Sequence, residues 1–467
     1  MYFANYSIQC YMPKIHFIAI GGAAMHNLAL ALQVQGYKIT GSDDEIYEPS
    51  KSLLDQHGIL PEHFGWYPEK ITTDLDCVIV GMHARLDNPE LLKAQELGLR
   101  IESYPSFLYE HSKNKQRIVI AGSHGKTSIT SMVLHVLKTL HKKFDYLVGA
   151  RLEGFDFMAS LSDAPIIVIE GDEYLASPID RRAKFLLYQA HIALISGIAW
   201  DHINVYPTFE SYTASFEELI KSMPKAGTLF FDQTDTILEQ LTESCPNHTE
   251  KTGYAAHPSY IKNGQTILKG LDGKDYEIQI FGEHSLKNLN GARLLCEQVG
   301  VSTNDFYQAI QSFKGAAKRL ELVGKSDSCL FYKDFAHAPS KVKATTQAVK
   351  SQYPQRKLIA CLELHTFSSL NPAFLPHYAK TLQAADVAVI YLSEHAREIK
   401  RMDRLEDDQV QQYFEHPHLL ILRNPADLMA YLHTQSWAQS NLLMMSSGTF
   451  DGLNLMDLAL QMGLSVE

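Results

Sequence analysis

Long apolar runs, paired cysteines and positive charge are what this sequence has least of. No stretch reaches the ~18 consecutive apolar residues of a membrane-spanning helix, so no membrane partner is expected. The opening "MYFANYSIQCYMPK" has neither a basic start nor a following apolar block, which argues against an export signal and predicts a cytoplasmic protein. Met12 immediately precedes a strand-like run, so residues 1–11 read as an extension or a misassigned start. Six cysteines (Cys10, Cys77, Cys245, Cys296, Cys329 and Cys361) are scattered without close pairs. That spacing suits buried reduced thiols rather than a disulfide framework or a zinc site. The formal net charge of −11 excludes a general nucleic-acid binder but leaves a local anion pocket open. The standard phosphate-loop pattern is also missing: Ile120 stands where its first glycine belongs.

What is present is an ordinary globular composition, 467 residues at 45% hydrophobic and 20% charged. At ~150 residues per domain, that length predicts about three domains. "KIHFIAI", a glycine turn, a helix-periodic "AAMHNLALALQVQGY" and "KITGSD" begin a parallel sheet with crossover helices. A second unit opens with "RIVIAGSHGKT" and continues through "APIIVIEGDE" and "HIALISGIAWDH", each an apolar run ending in polar residues. In an open parallel sheet the ligand crevice lies beyond the strands' carboxyl ends, so those residues converge. A third unit repeats the theme in "CLFYKDFAHAPSKVKATTQAV", "KLIACLELH", "DVAVIYLS" and "NLLMMSSGTFDG". The stretch from Cys245 to Gln265 reads as irregular or antiparallel structure within the second unit. The expectation is an α/β protein of three domains, residues 1–114, 115–322 and 323–467.

The opening of the second unit supplies every part of a phosphate site except the usual spacing. A strand delivers the chain, Gly122 and Gly125 let backbone amides face phosphates, and a helix start favours anions. Lys126 would meet the terminal phosphates, and Thr127 or Ser128 would bring a hydroxyl to magnesium. Glu170, Asp172, Glu173, Asp201 and His202 follow two later strands. Magnesium takes oxygen ligands, usually one or two carboxylates plus substrate phosphates. The turn "GGAAM" (Gly21 to Met25) lacks dinucleotide-fingerprint spacing, yet with Asp43 at the next strand end it suits a nucleotide diphosphate.

In order, "GGAAM", "GSD", "GSHGKTS", "EGDEY", "WDHINVYP", "GEHSLKNLNGA", "GAAKRLE", "DFAHAPS" and "SSGTFDG" resemble the Mur ligase family, from about Lys14 to Gly452. These enzymes build the peptide of bacterial cell-wall precursors using ATP. The resemblance implies an N-terminal Rossmann-like domain for the UDP substrate, a central phosphate-loop ATPase domain with a parallel sheet, and a C-terminal Rossmann-like domain for the incoming peptide. It implies ATP contacts at Gly122, Ser123, His124, Gly125, Lys126, Thr127, Ser128, Asn288 and Arg319, with Asp334 at a hinge. Thr127, Glu170 and His202 would hold Mg2+, and Lys126, Glu170 and His202 would form the catalytic set. Gly21, Gly22, Met25, Ser42, Asp43, His83 and His124 would bind the UDP-sugar. His284 matches the family's helix histidine, whereas Ser285 replaces its usual asparagine. The family forms an acyl phosphate on the substrate carboxylate, which an amine then displaces.

"YTASFEEL" carries Phe216 where several members have a modified lysine, which implies the branch acting on UDP-N-acetylmuramate itself. "GDEYLASPIDRRAKFLLYQ", through Asp180, Arg182, Lys184 and Phe185, resembles members that add the tripeptide L-Ala-γ-D-Glu-meso-diaminopimelate rather than L-alanine. "DFAHAPS" has Ala338 and Ser340 in place of the common second histidine and threonine, and "LELHTFSSLN" lacks the alanine branch's arginines. Arg182, His365, Thr366, Ser368 and Ser369 are accordingly expected to meet the incoming peptide, in a monomer or weak homodimer. An unrelated phosphate-loop ATPase or kinase would explain Gly122 to Thr127 but not the C-terminal motifs.

Overall fold

The computed structural model describes residues 12–200, 205–245, 249–315 and 319–466. The described chain falls into two compact units: residues up to Thr130 with Leu137–Tyr254, and Ser131–Val136 with the chain from Ala255 onward.

The first unit carries two sheets. One contains β1 (Lys14–Ile18), β2 (Lys38–Ser42), β3 (Cys77–Val80) and β4 (Ile101–Ser103), all parallel in the order β2-β1-β3-β4. The other contains β5 (Gln116–Ala121), β6 (Asp145–Leu147), β7 (Ala159–Ser160), β8 (Ile166–Glu170), β9 (Ile192–Ile195), β10 (Thr228–Asp232) and β11 (Glu250–Tyr254). Its order is β11-β10-β9-β5-β8-β6-β7, and β7 alone runs antiparallel. Strands buried on both faces read as continuous apolar runs, as "CVIV" and "IALI" do. One apolar core links the two sheets, from Phe17 and Leu28 through Val119 and Ile169 to Phe216.

The stretch expected to be irregular or antiparallel divides in two. Glu250–Tyr254 is a parallel edge strand, because the helix Thr236–Ser244 returns the chain from β10 to the same sheet edge. Antiparallel pairing begins beyond it, in the second unit, where β12 (Ser259–Lys262), β13 (Gln265–Lys269) and β14 (Asp275–Ile278) form a meander.

The second unit also holds a six-stranded sheet of β15 (Glu321–Lys325), β16 (Cys329–Asp334), β17 (Lys357–Leu364), β18 (Val387–Leu392), β19 (Leu419–Leu422) and β20 (Ser440–Met445). Its order is β15-β16-β20-β17-β18-β19, parallel except for β15. The expected strand-then-polar-turn segments are β16, β17, β18 and β20. The five described cysteines are all free and buried. Among the described residues no helix is long and apolar enough to cross a membrane.

Candidate active site

Strand order decides what meets the loop Gly122–Gly125. Its strand, β5, lies between β8 and β9, with Ile120 paired to Glu170 and Ala121 to Ile195. Residues following both neighbours therefore flank the loop. On the β9 side the Ser123 amide donates to the Gly197 carbonyl (3.0 Å), and Ser196 Oγ donates to the His124 carbonyl. Ser123 Oγ accepts from the Ala199 amide and lies 2.8 Å from the Tyr212 hydroxyl. Gly122, at φ +120°, passes so close to Ser196 that any side chain there would collide with its backbone and hydroxyl. Gly125, at φ +76°, turns the chain into the helix Lys126–Thr139, which Thr127 and Ser128 continue.

On the β8 side stand the acids. Lys126 Nζ donates to Glu173 Oε2 and to the Gly122 carbonyl, both at 2.6 Å. Burial alone would lower the ammonium, but the Glu173 charge and hydrogen bond outweigh it and raise it above the ordinary lysine value. Tyr212 and Tyr206 hold Glu173 through its carboxylate (3.3 Å) and carbonyl (2.6 Å). Thr127 Oγ1 donates to Glu170 Oε1, and the Gly149 amide to Oε2, each at 2.8 Å. Burial pushes the Glu170 carboxyl up, opposed by those two donors and by Lys126. Lys184 Nζ meets Asp172 Oδ2 at 2.6 Å.

The first sheet presents its own strand ends. The turn after β1 begins at Ala19, held in the left-handed region at φ +67°. The Ser42 carbonyl accepts the Ala19 and Ile20 amides, and Asp43 Oδ2 accepts the Gly21 amide at 2.7 Å. Burial raises the Asp43 carboxyl to about 6, helped by Asp44 and opposed by that amide. Gly22 then begins the helix Ala23–Val34.

A cavity of about 370 Å³ gathers these parts. Gly22 and Met25 line it from the first sheet's helix start, Met82 and His83 from the turn after β3, and Lys126, Glu170, Asp172 and Lys184 from the second sheet. The expected residues Gly22, Met25, His83, Lys126 and Glu170 thus share one space, with Asp43 behind the glycine turn. Arg182 is exposed and paired with Asp180 (2.7 Å). His202, expected as a metal ligand, lies outside the described residues.

Anion chemistry fits this arrangement, since loop amides, a helix start and Lys126 all offer hydrogen-bond donors. Mg2+ fits as well, with the Thr127 hydroxyl 2.8 Å from the Glu170 carboxylate and Glu170 on the cavity wall. No group of three or more metal-ligating side chains occurs among the described residues. A magnesium ion completed by phosphates and water needs only one or two protein oxygens.

In the second unit Asp334 accepts the Ala336 amide through Oδ1 and the Leu320 amide through Oδ2, both at 2.7 Å. It thereby ties the end of β16 to the segment entering β15. Burial lowers His284, opposed by Asp334 and reinforced by Arg319, whose guanidinium stacks 5.3 Å over Phe335. Asn288 lies one helical turn beyond His284 on the helix Glu283–Gln298. His365 Nδ1 is 3.2 Å from Ser447 Oγ at the adjoining ends of β17 and β20. Thr366 and Ser369 cap each other's backbone amides at 3.1 and 2.9 Å, and Ser368 sits within that turn.

Residues 14–116 match the Mur ligase family catalytic domain and residues 120–296 the Mur ligase middle domain. A UDP-N-acetylmuramate–L-alanine ligase of Caldicellulosiruptor bescii is 31% identical over 399 residues, covering 83% of this chain and 85% of the relative. The chain belongs to the Mur ligase family. Mur ligases are ATP-dependent, ADP-forming acid–amino-acid ligases, and this chain is one of them. The Haemophilus influenzae UDP-N-acetylmuramate–L-alanyl-γ-D-glutamyl-meso-2,6-diaminoheptandioate ligase is 28% identical over 357 residues, 73% of this chain and 77% of the relative. A solved murein peptide ligase from Psychrobacter arcticus shares the fold at a TM-score of 0.63 and 23% identity, covering 97% of this chain and all of that one.

In the sequence Asp172 and Glu173 stand out only as members of a strand-end acid cluster suited to magnesium. Nothing there marks Glu173 as the partner of Lys126, or Tyr104 and Tyr188 as part of this Mur ligase's cavity wall. The run "EGDEY" carried a signal for the acids. The tyrosines carried none, because only tertiary packing brings them to the cavity.

Proposed function

We propose that this Mur ligase joins the tripeptide L-Ala-γ-D-Glu-meso-diaminopimelate to UDP-N-acetylmuramate with hydrolysis of ATP to ADP and phosphate. The observation that carries this reading is the single cavity lined by both the first glycine turn's helix and Lys126–Glu170. The reading it supports is a nucleotide diphosphate's far end bound beside the terminal phosphates of ATP. In this reading residues 1–114 hold the UDP-sugar through Gly21, Gly22, Met25, Ser42, Asp43 and His83. Residues 115–322 hold ATP, and residues 323–467 present the peptide.

A carboxylate is a poor electrophile because its oxygen leaves badly. The substrate carboxylate oxygen attacks the terminal phosphorus of ATP, the phosphorus–oxygen bond to ADP breaks, and an acyl phosphate forms. The peptide's neutral amine then attacks the acyl carbon, phosphate departs and the amine loses its proton to water. Gly122 to Ser128 and Lys126 bind and neutralise the transferred phosphate, and Asn288 and Arg319 act on the nucleotide. Thr127, Glu170 and His202 hold Mg2+, which supplies charge neutralisation on the phosphates when bound. His365, Thr366, Ser368, Ser369 and Arg182 orient the incoming peptide, and Asp334 braces the entry to the third domain.

Support for the tripeptide comes from the "DRRAKF" segment, whose Lys184 reaches the cavity, and from a His365 loop without the alanine branch's arginines. The L-alanine reading draws on relatives named as L-alanine ligases at up to 31% identity. Phosphate release with ATP, Mg2+ and UDP-N-acetylmuramate decides between them when tripeptide and L-alanine are offered separately. Release with tripeptide alone is the expected result; release with L-alanine alone overturns it.

A further inference from the structure

Buried tyrosines in this chain commonly use their hydroxyls. Tyr206 donates to the Glu173 carbonyl, Tyr212 pairs with Ser123, and Tyr391 donates to Asp451 at 2.6 Å. Tyr104 breaks the pattern. Only 4% exposed, it is the one tyrosine among the described residues whose buried hydroxyl has no hydrogen-bond partner. Tyr104 lines the 370 Å³ cavity that Lys126, Glu170 and Asp172 also line. A buried hydroxyl left unmatched is costly, which makes an unmatched one at a ligand cavity informative.

Its placement is rigid. Tyr104 is the first residue of the helix Tyr104–Ser112, directly after β4. Ser103 and Ser106 close a capping box around it, with Ser103 Oγ accepting the Ser106 amide at 3.3 Å and Ser106 Oγ accepting the Ser103 amide at 2.9 Å. Pro105 fixes the next backbone angle. Burial pushes the phenol well above its ordinary value, with Tyr188, Asp172 and Glu170 adding to the shift. The hydroxyl therefore keeps its proton and is available to donate.

We propose that the Tyr104 hydroxyl is a substrate-binding group that donates a hydrogen bond to an oxygen of the UDP-linked acid held in this cavity. This rests on the function proposed above. Tyr104 acts in binding and positioning; it transfers no proton to the reacting atoms.

Tyr104→Phe keeps the ring and removes only the donor. Binding of UDP-N-acetylmuramate to wild type and variant is measured by calorimetry, with steady-state phosphate release and the thermal midpoint of the free protein alongside. The expected result is a Kd for UDP-N-acetylmuramate raised about 2- to 12-fold, the range for one hydrogen bond. The KM for ATP should stay within about twofold, and the midpoint should be unchanged or higher, because the free protein loses no bond. Equal binding by both proteins overturns the Tyr104 assignment alone. A variant midpoint lowered by several degrees also overturns it, because the hydroxyl would then serve the free fold. Wild type that does not bind UDP-N-acetylmuramate overturns both this assignment and the proposed function.

Discussion

Lys126 Nζ stands 2.6 Å from the Glu173 carboxylate, and the acid's side chain is 1% exposed. The lysine is thereby aimed before any nucleotide arrives. Glu173→Gln keeps an acceptor but removes the charge that raises the ammonium. A lysine whose value is raised holds its charge until pH climbs through that value, so losing the cause moves the alkaline limb of activity to lower pH. Loss of a charge-assisted bond should also lower kcat/KM for ATP about tenfold or more. A pH profile of phosphate release checks both; an unmoved alkaline limb would sink the coupling.

Glu170→Gln separates stability from catalysis. The amide can still accept the Gly149 amide and donate to Thr127, while a carboxyl whose burial is unfavourable to charge is removed. The thermal midpoint should hold or rise, and activity at saturating Mg2+ should fall about 100- to 1000-fold. Activity of the variant near the wild-type level would remove Glu170 from the metal site.

Asp43 gives a stability signature. Folded, its carboxyl titrates at about 6, against about 3.9 for an unfolded aspartate. Between those values the folded state alone holds the proton, so this group's contribution to stability falls as pH rises from about 4 to 6 and is level above. Asp43→Asn, which keeps an acceptor for the Gly21 amide, should flatten that slope. Chemical denaturation of both proteins across this range measures the difference, and parallel curves would refute it.

Gly448 tests the second unit. A Cβ there would come within 2.8 Å of His365 Cδ2 and 2.9 Å of Glu363 Oε2. Glu363, only 2% exposed, is committed to the Phe450 amide and Ser446, so His365 must give way. Gly448→Ala should raise KM for the incoming peptide several-fold and leave ATP binding unaltered. A change confined to ATP would place this loop elsewhere in the reaction.

Much of this was legible in residue order. Apolar runs such as "IVIA", "IIVIE" and "LIACLEL" are strands because both faces of a parallel sheet are covered, and their polar successors collect at one edge. Gly122 and Gly125 announced a backbone that other residues cannot follow. Chain order did not disclose which strands become neighbours. Lys126 meets Glu173 and Thr127 meets Glu170 because β8, not β6, lies beside β5, and side-chain chemistry does not encode that choice. Tyr104 was silent for the same reason, since its helix belongs to a different sheet from the acids it approaches.

The pairing of Ile120 with Glu170 sets a limit on how this chain can vary. Side chains alternate along β8, so removing one residue between Ile166 and Ile169 while Ile166 stayed paired with Gln116 would turn the glutamate from Thr127 toward the sheet's other face. Inserted residues in the surface turns before β8 leave that alternation untouched. The molecule is therefore tolerant of change in the length of its loops and intolerant of change in the length of one five-residue strand.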